Sequence, residues 1–98
     1  MEKQQIINYL RQYFGQQPEV LRVSIVGSVA RGDYRPDSDL DLVLDLSKPV
    51  GLFRLGRYVA DLEEALNRHV DLTTEAGISP FALPIVNQSR QVVYNKRV

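Results

Sequence analysis

Cysteine is absent from this 98-residue chain, and histidine occurs once. A disulfide framework, a thiolate nucleophile and a Cys/His zinc site are therefore all excluded. No Ser-His-Asp arrangement is visible either. The lack of cysteine fits a reducing compartment, and the expected location is the cytoplasm. Long apolar runs are also missing, so no membrane span is expected, and no charged-then-apolar leader precedes the first helix-like segment. Charge of one sign is not in excess, because twelve basic and twelve acidic residues cancel. That leaves no global field to attract nucleic acid. Aromatic residues make up 8% of the chain, too few to suggest a base-stacking groove, so direct nucleic-acid binding is not expected. No repeat, low-complexity tract or linker is present. One domain over residues 1–98 is expected, large enough for a stable core without cross-links.

The order of elements is readable from hydrophobic spacing. Ile6, Ile7, Leu10, Tyr13 and Phe14 predict a helix over Glu2 to Phe14, with Gly15 as a stop. A strand is expected from Val20 to Val26, then a turn at Gly27-Ser28 and a short helix through Val29-Ala30-Arg31. Gly32 to Asp37, with Pro36, reads as a loop, and a second strand follows from Asp39 to Leu46. Leu52, Leu55, Val59, Leu62 and Leu66 form the clearest amphipathic stripe. A short strand is centred on Val70-Asp71-Leu72. Ser79-Pro80 resembles a helix start, and that helix would carry Phe81, Leu83, Ile85 and Val86 towards Arg90, with its first turn disturbed by Pro84. A last strand covers Val92 to Tyr94. This order predicts a small α/β or α+β sheet with helices packed on one side; it does not give the strand pairing.

What the chain does contain is concentrated acid. Four of its seven aspartates, Asp33, Asp37, Asp39 and Asp41, fall within nine residues. In an extended strand, residues two apart point the same way. Asp39 and Asp41 therefore share one face of the second strand, and Leu40, Leu42, Leu44 and Leu46 share the other. Two carboxylates roughly 7 Å apart along the backbone can converge on one cation or a close pair. Left alone they would repel and raise each other's pKa, a penalty that bound magnesium would remove. Gly27 closes the preceding strand, where a residue without a side chain can approach a triphosphate and adopt angles closed to others. Ser28 adds a hydroxyl, and the following helix directs its first amides at an anion. Asp45 has the parity of Asp41 but lies roughly 13 Å along the strand, too far to join the pair. His69 shares parity with Asp71 and is assigned no role. Asp61, Glu63 and Glu64 belong to the solvated part of the long helix.

The pattern GS-x-ARG-D…SDLDL, with a third aspartate downstream, resembles the nucleotidyltransferases of the polymerase-beta superfamily, and within it the minimal group called MNT proteins. The resemblance covers nearly the full chain. It implies the polymerase-beta-like fold, a small mixed sheet flanked by helices. It implies that Gly27 and Ser28 hold the outer phosphates of ATP, with Asp39, Asp41 and Asp71 as catalytic ligands of Mg2+, two ions in number. Arg31 matches the family's arginine after the turn; it either contacts the triphosphate or bridges to Asp33 or Asp37, and the residues leave both open. Asp71 would also help activate the incoming hydroxyl, a role that rests on its position in the element order. MNT proteins are commonly the antitoxins of HEPN-domain ribonuclease toxins, and some transfer AMP to a tyrosine of the toxin. The resemblance thus implies a Mg-dependent protein adenylyltransferase with a HEPN toxin as partner. A binding-only antitoxin and a transferase with a small-molecule acceptor stand as alternatives.

Overall fold

The computed structural model describes residues 1–35 and 37–96; Pro36 of the expected loop lies outside them. The elements run α1 (Lys3–Gly15), β1 (Val20–Val26), α2 (Gly27–Arg31), β2 (Leu40–Leu46), α3 (Leu52–Leu66), β3 (Val70–Thr74), a 3-10 turn (Glu75–Gly77), α4 (Leu83–Ser89) and β4 (Gln91–Asn95). The four strands form one mixed sheet in the order β3-β2-β1-β4. β1 pairs antiparallel with β2 and with β4, whereas β2 and β3 are parallel. A parallel pair needs a crossover rather than a hairpin, and α3 is that crossover.

Alternation along β2 separates core from site. Leu40, Leu42 and Leu44 are almost wholly buried and pack with Ile6, Leu10 and Phe14 of α1 and with Tyr58, Leu62 and Leu66 of α3. Truncating one such leucine to alanine costs about 2–5 kcal/mol through lost transfer energy and the cavity left behind. Tyr58, absent from the expected stripe, sits at the centre of that layer, its ring edge-on to Phe14 and Tyr13. Its hydroxyl donates to buried Glu19, which Arg54 also reaches at 2.9 Å. Burial alone would push the Glu19 carboxyl up, but these donors and a backbone hydrogen bond outweigh it and hold it down at about 2.

Three expectations need correction. The stripe of α3 does not begin at Leu52, which is 85% exposed beside Phe53 at 98%; half-buried Leu55 is its first contact with the core, and full burial starts with Tyr58. The last helix starts at Leu83 rather than at Pro80. A proline has no N–H to give a helix interior, and a start at Leu83 keeps Pro84 in the first turn, while Ser79 closes a separate turn through Ala82 N–H. None of its residues is buried. Finally, helices do not all lie on one side. α1 and α3 cover the leucine face, but Arg90, just after α4, makes two bonds to Glu75, which also accepts from Arg22. Arg22 pairs with Asp45 across the ladder, so this clasp fastens α4 to the aspartate face.

Candidate active site

The β1 ladder brings the Gly27 turn onto Asp41. Val26 and Asp41 are partners across the antiparallel pair, so the residue after Val26 passes directly over the Asp41 side chain. Gly27 has a φ of 74°, in the left-handed region where a Cβ costs roughly 1–2 kcal/mol. A Cβ built there would lie 2.6 Å from Asp41 Oδ2. Glycine is therefore required twice, by the backbone angle and by the carboxylate. Ser28 is the second residue of α2, whose helix starts two residues earlier than expected; its carbonyl accepts from Gly32 and Asp33 N–H groups at 3.0 and 3.2 Å.

Parallel pairing of β2 with β3 sets Asp71 directly beside Asp41, as register partners. Asp39 stands just before β2, beside the β3 entrance, because Leu40 N–H donates to the His69 carbonyl at 2.9 Å. The buried Arg68 adds to this join, with its guanidinium 5.6 Å from the Tyr34 ring centre and 3.4 Å from the Ser38 carbonyl. Asp39 and Asp71 are both more than half exposed. Asp41 lies deeper. Burial first, then the charge of Asp71 and a hydrogen bond shared with it, then Asp39, hold the Asp41 carboxyl above its ordinary value. A divalent cation is the natural relief of such crowding, and a donor set of carboxylates fits one.

The structure also places residues that the sequence left out. His69 Nδ1 is 3.7 Å from both Asp39 Oδ2 and Asp71 Oδ1. These three side chains are the one group of metal-capable donors within 4.8 Å of one another among the described residues, and Asp41 lies outside it. The parity of His69 with Asp71 was the signal for this. Glu63 is not simply solvated, since it accepts from Val70 N–H at 2.9 Å, and Asp61 accepts from the Tyr13 hydroxyl at 2.6 Å. Ser89, at the end of α4, accepts the Gly27 N–H at 3.1 Å; nothing local announces a contact across 62 residues. Arg31 reaches Asp33 at 3.3 Å, with both side chains exposed, and Asp45 stays apart from the cluster against Arg22 at 4.0 Å.

One recess flanks this region and another lies away from it. One, of about 490 Å³, opens beside the turn between Gly27, Arg31, Ile85, Val86 and Ser89. The other, of about 300 Å³, is lined by Leu44, Leu46, Pro49, Val50 and Leu55 at the far ends of β2 and β3 and touches none of these aspartates. No helix among the described residues is long and apolar enough to cross a membrane.

Comparison with known proteins identifies the family. The chain is 38% identical over 62 residues to the "Putative protein adenylyltransferase MJ0435" of Methanocaldococcus jannaschii, covering 63% of this chain and 67% of that one. A solved structure of a "putative minimal nucleotidyltransferase" superposes with a TM-score of 0.74 at 28% identity, covering 93% of this chain and 95% of the other. A chain from the complex of a tri-AMPylated Shewanella oneidensis HEPN toxin with an MNT antitoxin shares the fold. Its TM-score is 0.77 at 16% identity, over 97% of this chain and 74% of that one. Residues 3–93 match the nucleotidyltransferase domain, and the chain belongs to that family.

Proposed function

We propose that this chain is the antitoxin of a toxin-antitoxin pair and acts by transferring AMP from ATP to a hydroxyl, that of a tyrosine, on a partner HEPN ribonuclease. The observation that carries the reading is the contact of Gly27 with Asp41, with Asp71 in register beside Asp41. A bare backbone turn for phosphates and a group of carboxylates thereby meet at one point. The names of the relatives, an adenylyltransferase and an AMPylated toxin with its antitoxin, support the same reading.

Gly27 and Ser28 would hold the outer phosphates through the Ser28 hydroxyl and the first α2 amides after Gly27, whose own N–H is taken by Ser89. Asp39, Asp41 and Asp71 would hold Mg2+, two ions as the family resemblance implies. When bound, the cations supply charge neutralisation at the attacking and leaving oxygens. Asp71, more than half exposed, would take up the acceptor proton. The acceptor oxygen forms its bond to the α-phosphorus as the bond to the bridging oxygen breaks, and pyrophosphate leaves with that electron pair. Alignment and charge stabilisation account for the catalysis. Phe81 is 91% and Ile85 67% exposed on the α4 side of the turn, apolar surface suited to a protein partner.

Intact-protein mass spectrometry of the pair co-expressed in cells tests this. Wild type should add AMP to the partner and relieve its toxicity, and Asp71→Ala should still bind the partner while losing both effects. Protection without added mass, retained in Asp71→Ala, would establish an antitoxin that acts by occlusion.

A further inference from the structure

The imidazole of His69 has a carboxylate on each side. Its Nδ1 lies 3.7 Å from Asp39 Oδ2 and 3.7 Å from Asp71 Oδ1. That is too long for a hydrogen bond. It falls between the cis and trans ligand separations around a six-coordinate ion, about 3.0 and 4.2 Å for bonds of roughly 2.1 Å. On the opposite edge of the ring, Nε2 faces Glu63 Oε2 at 4.0 Å, and Glu63 is fixed in place by the Val70 N–H at 2.9 Å. Glu63 thus stands behind the ring, beyond hydrogen-bond length, on the side from which a carboxylate orients a metal-bound histidine once it closes on the outer N–H. The backbone is braced on both sides of the ring, through the Leu40–His69 hydrogen bond and the buried Arg68.

We infer that His69 is a nitrogen ligand of the cation held by Asp39 and Asp71, with Glu63 as its outer partner, and that the site accordingly prefers Mn2+ to Mg2+. The inference rests on the proposal that Asp39 and Asp71 hold a divalent cation. Mg2+ is hard, favours oxygen and keeps its waters; an imidazole in the donor set favours a first-row transition ion. The all-aspartate set inferred from the sequence contains no such bias.

The test uses the whole protein with Mn2+ alone and no nucleotide. Pulsed electron paramagnetic resonance of bound Mn2+ should show nitrogen-14 modulation from a directly coordinated imidazole, lost in His69→Ala. Titration should show Mn2+ affinity falling at least about tenfold in His69→Ala, since even an outer-shell partner is worth about 10–100-fold, with Mg2+ affinity, measured by competition, changed less than twofold. Glu63→Gln should keep the modulation and weaken Mn2+ binding. Bound Mn2+ without nitrogen modulation, or equal losses for the two ions in His69→Ala, would overturn the inference while the carboxylate site stands. Mn2+ and Mg2+ binding unaffected by Asp39→Asn with Asp71→Asn would overturn both. His69 is 59% exposed in its side chain, so its replacement leaves the core intact, which circular dichroism verifies.

Discussion

Replacing Gly27 with alanine separates two demands that fall on one residue. The first is the backbone angle, φ 74°, which costs an L-residue roughly 1–2 kcal/mol. The second is contact: the new methyl would meet Asp41 Oδ2 at 2.6 Å, so the carboxylate must retreat by about 0.8 Å to reach ordinary van der Waals distance. Gly32 provides the matched control. It has a similar φ of 84°, and nothing lies within 4 Å of the position of its Cβ. Both alanine variants should fold and lose about 1–2 kcal/mol of stability. At about 4–8 °C per kcal/mol in a domain of this size, the Tm should fall by roughly 5–15 °C. Only Gly27→Ala should also lose cation and nucleotide binding, because a metal bond of roughly 2.1 Å does not tolerate a ligand displaced by that much. Calorimetric titration with Mg2+ and ATP on both variants, beside thermal melts, measures the two effects independently. Equal binding losses in the two variants would refute the reasoning, and so would a Gly27→Ala protein that binds like wild type.

Two further outcomes follow from the same turn. Ser89→Ala should leave the Gly27 N–H without its acceptor, lowering stability by about 1 kcal/mol, and should weaken ATP more than adenosine, as read by titration of both. The raised Asp41 carboxyl sets a pH dependence with a defined sign: the folded state holds this proton more tightly than the unfolded chain. Its contribution to stability is therefore full below the ordinary carboxylate range and is lost as pH rises through the raised value. Melts across pH should show that loss in wild type, and Asp41→Asn or a saturating divalent cation should abolish it.

The parts of the fold visible in the sequence are those decided by alternation and turn chemistry. β1 was legible from its β-branched residues and β2 from its strict alternation, with glycine, proline and aspartate at the bounds. Parity put Asp39 and Asp41 on one face of β2, although the strand itself begins at Leu40. The place of Asp71 beside Asp41 was not legible, because register between β2 and β3 is settled by how α3 crosses the sheet. The start of α4 differs from the sequence expectation because Ser79-Pro80 satisfies helix-start chemistry locally, while the second proline, Pro84, decides where the helix begins. His69 and Ser89 belong to the site through contacts with Asp39 and Gly27. Parity with Asp71 hinted at His69, but the contact of Ser89 with Gly27 joins segments far apart in the chain, and no local pattern encodes it.

The parallel pairing explains why an acidic site exists in so small a fold. Two strands that run the same way present their N-terminal ends at one edge of the sheet. The single crossover α3 thus brings Asp71 to Asp41 and His69 to Asp39. An antiparallel β2–β3 hairpin would have set the start of β3 against the end of β2, beside Leu46 rather than Asp41. The electrostatic cost is distributed unevenly. Asp39 and Asp71, within 4.8 Å of each other but open to water, repel by about 1 kcal/mol at bulk dielectric. Asp41 carries the larger burden because it is the one drawn under Gly27. The opposite side of the same strand offsets that burden, since Leu40, Leu42 and Leu44 are almost wholly buried, each worth about 1.5–3 kcal/mol. The strand that pays for the site is the strand that presents it, so damage to the leucine face should disturb Asp41 before it unfolds the chain.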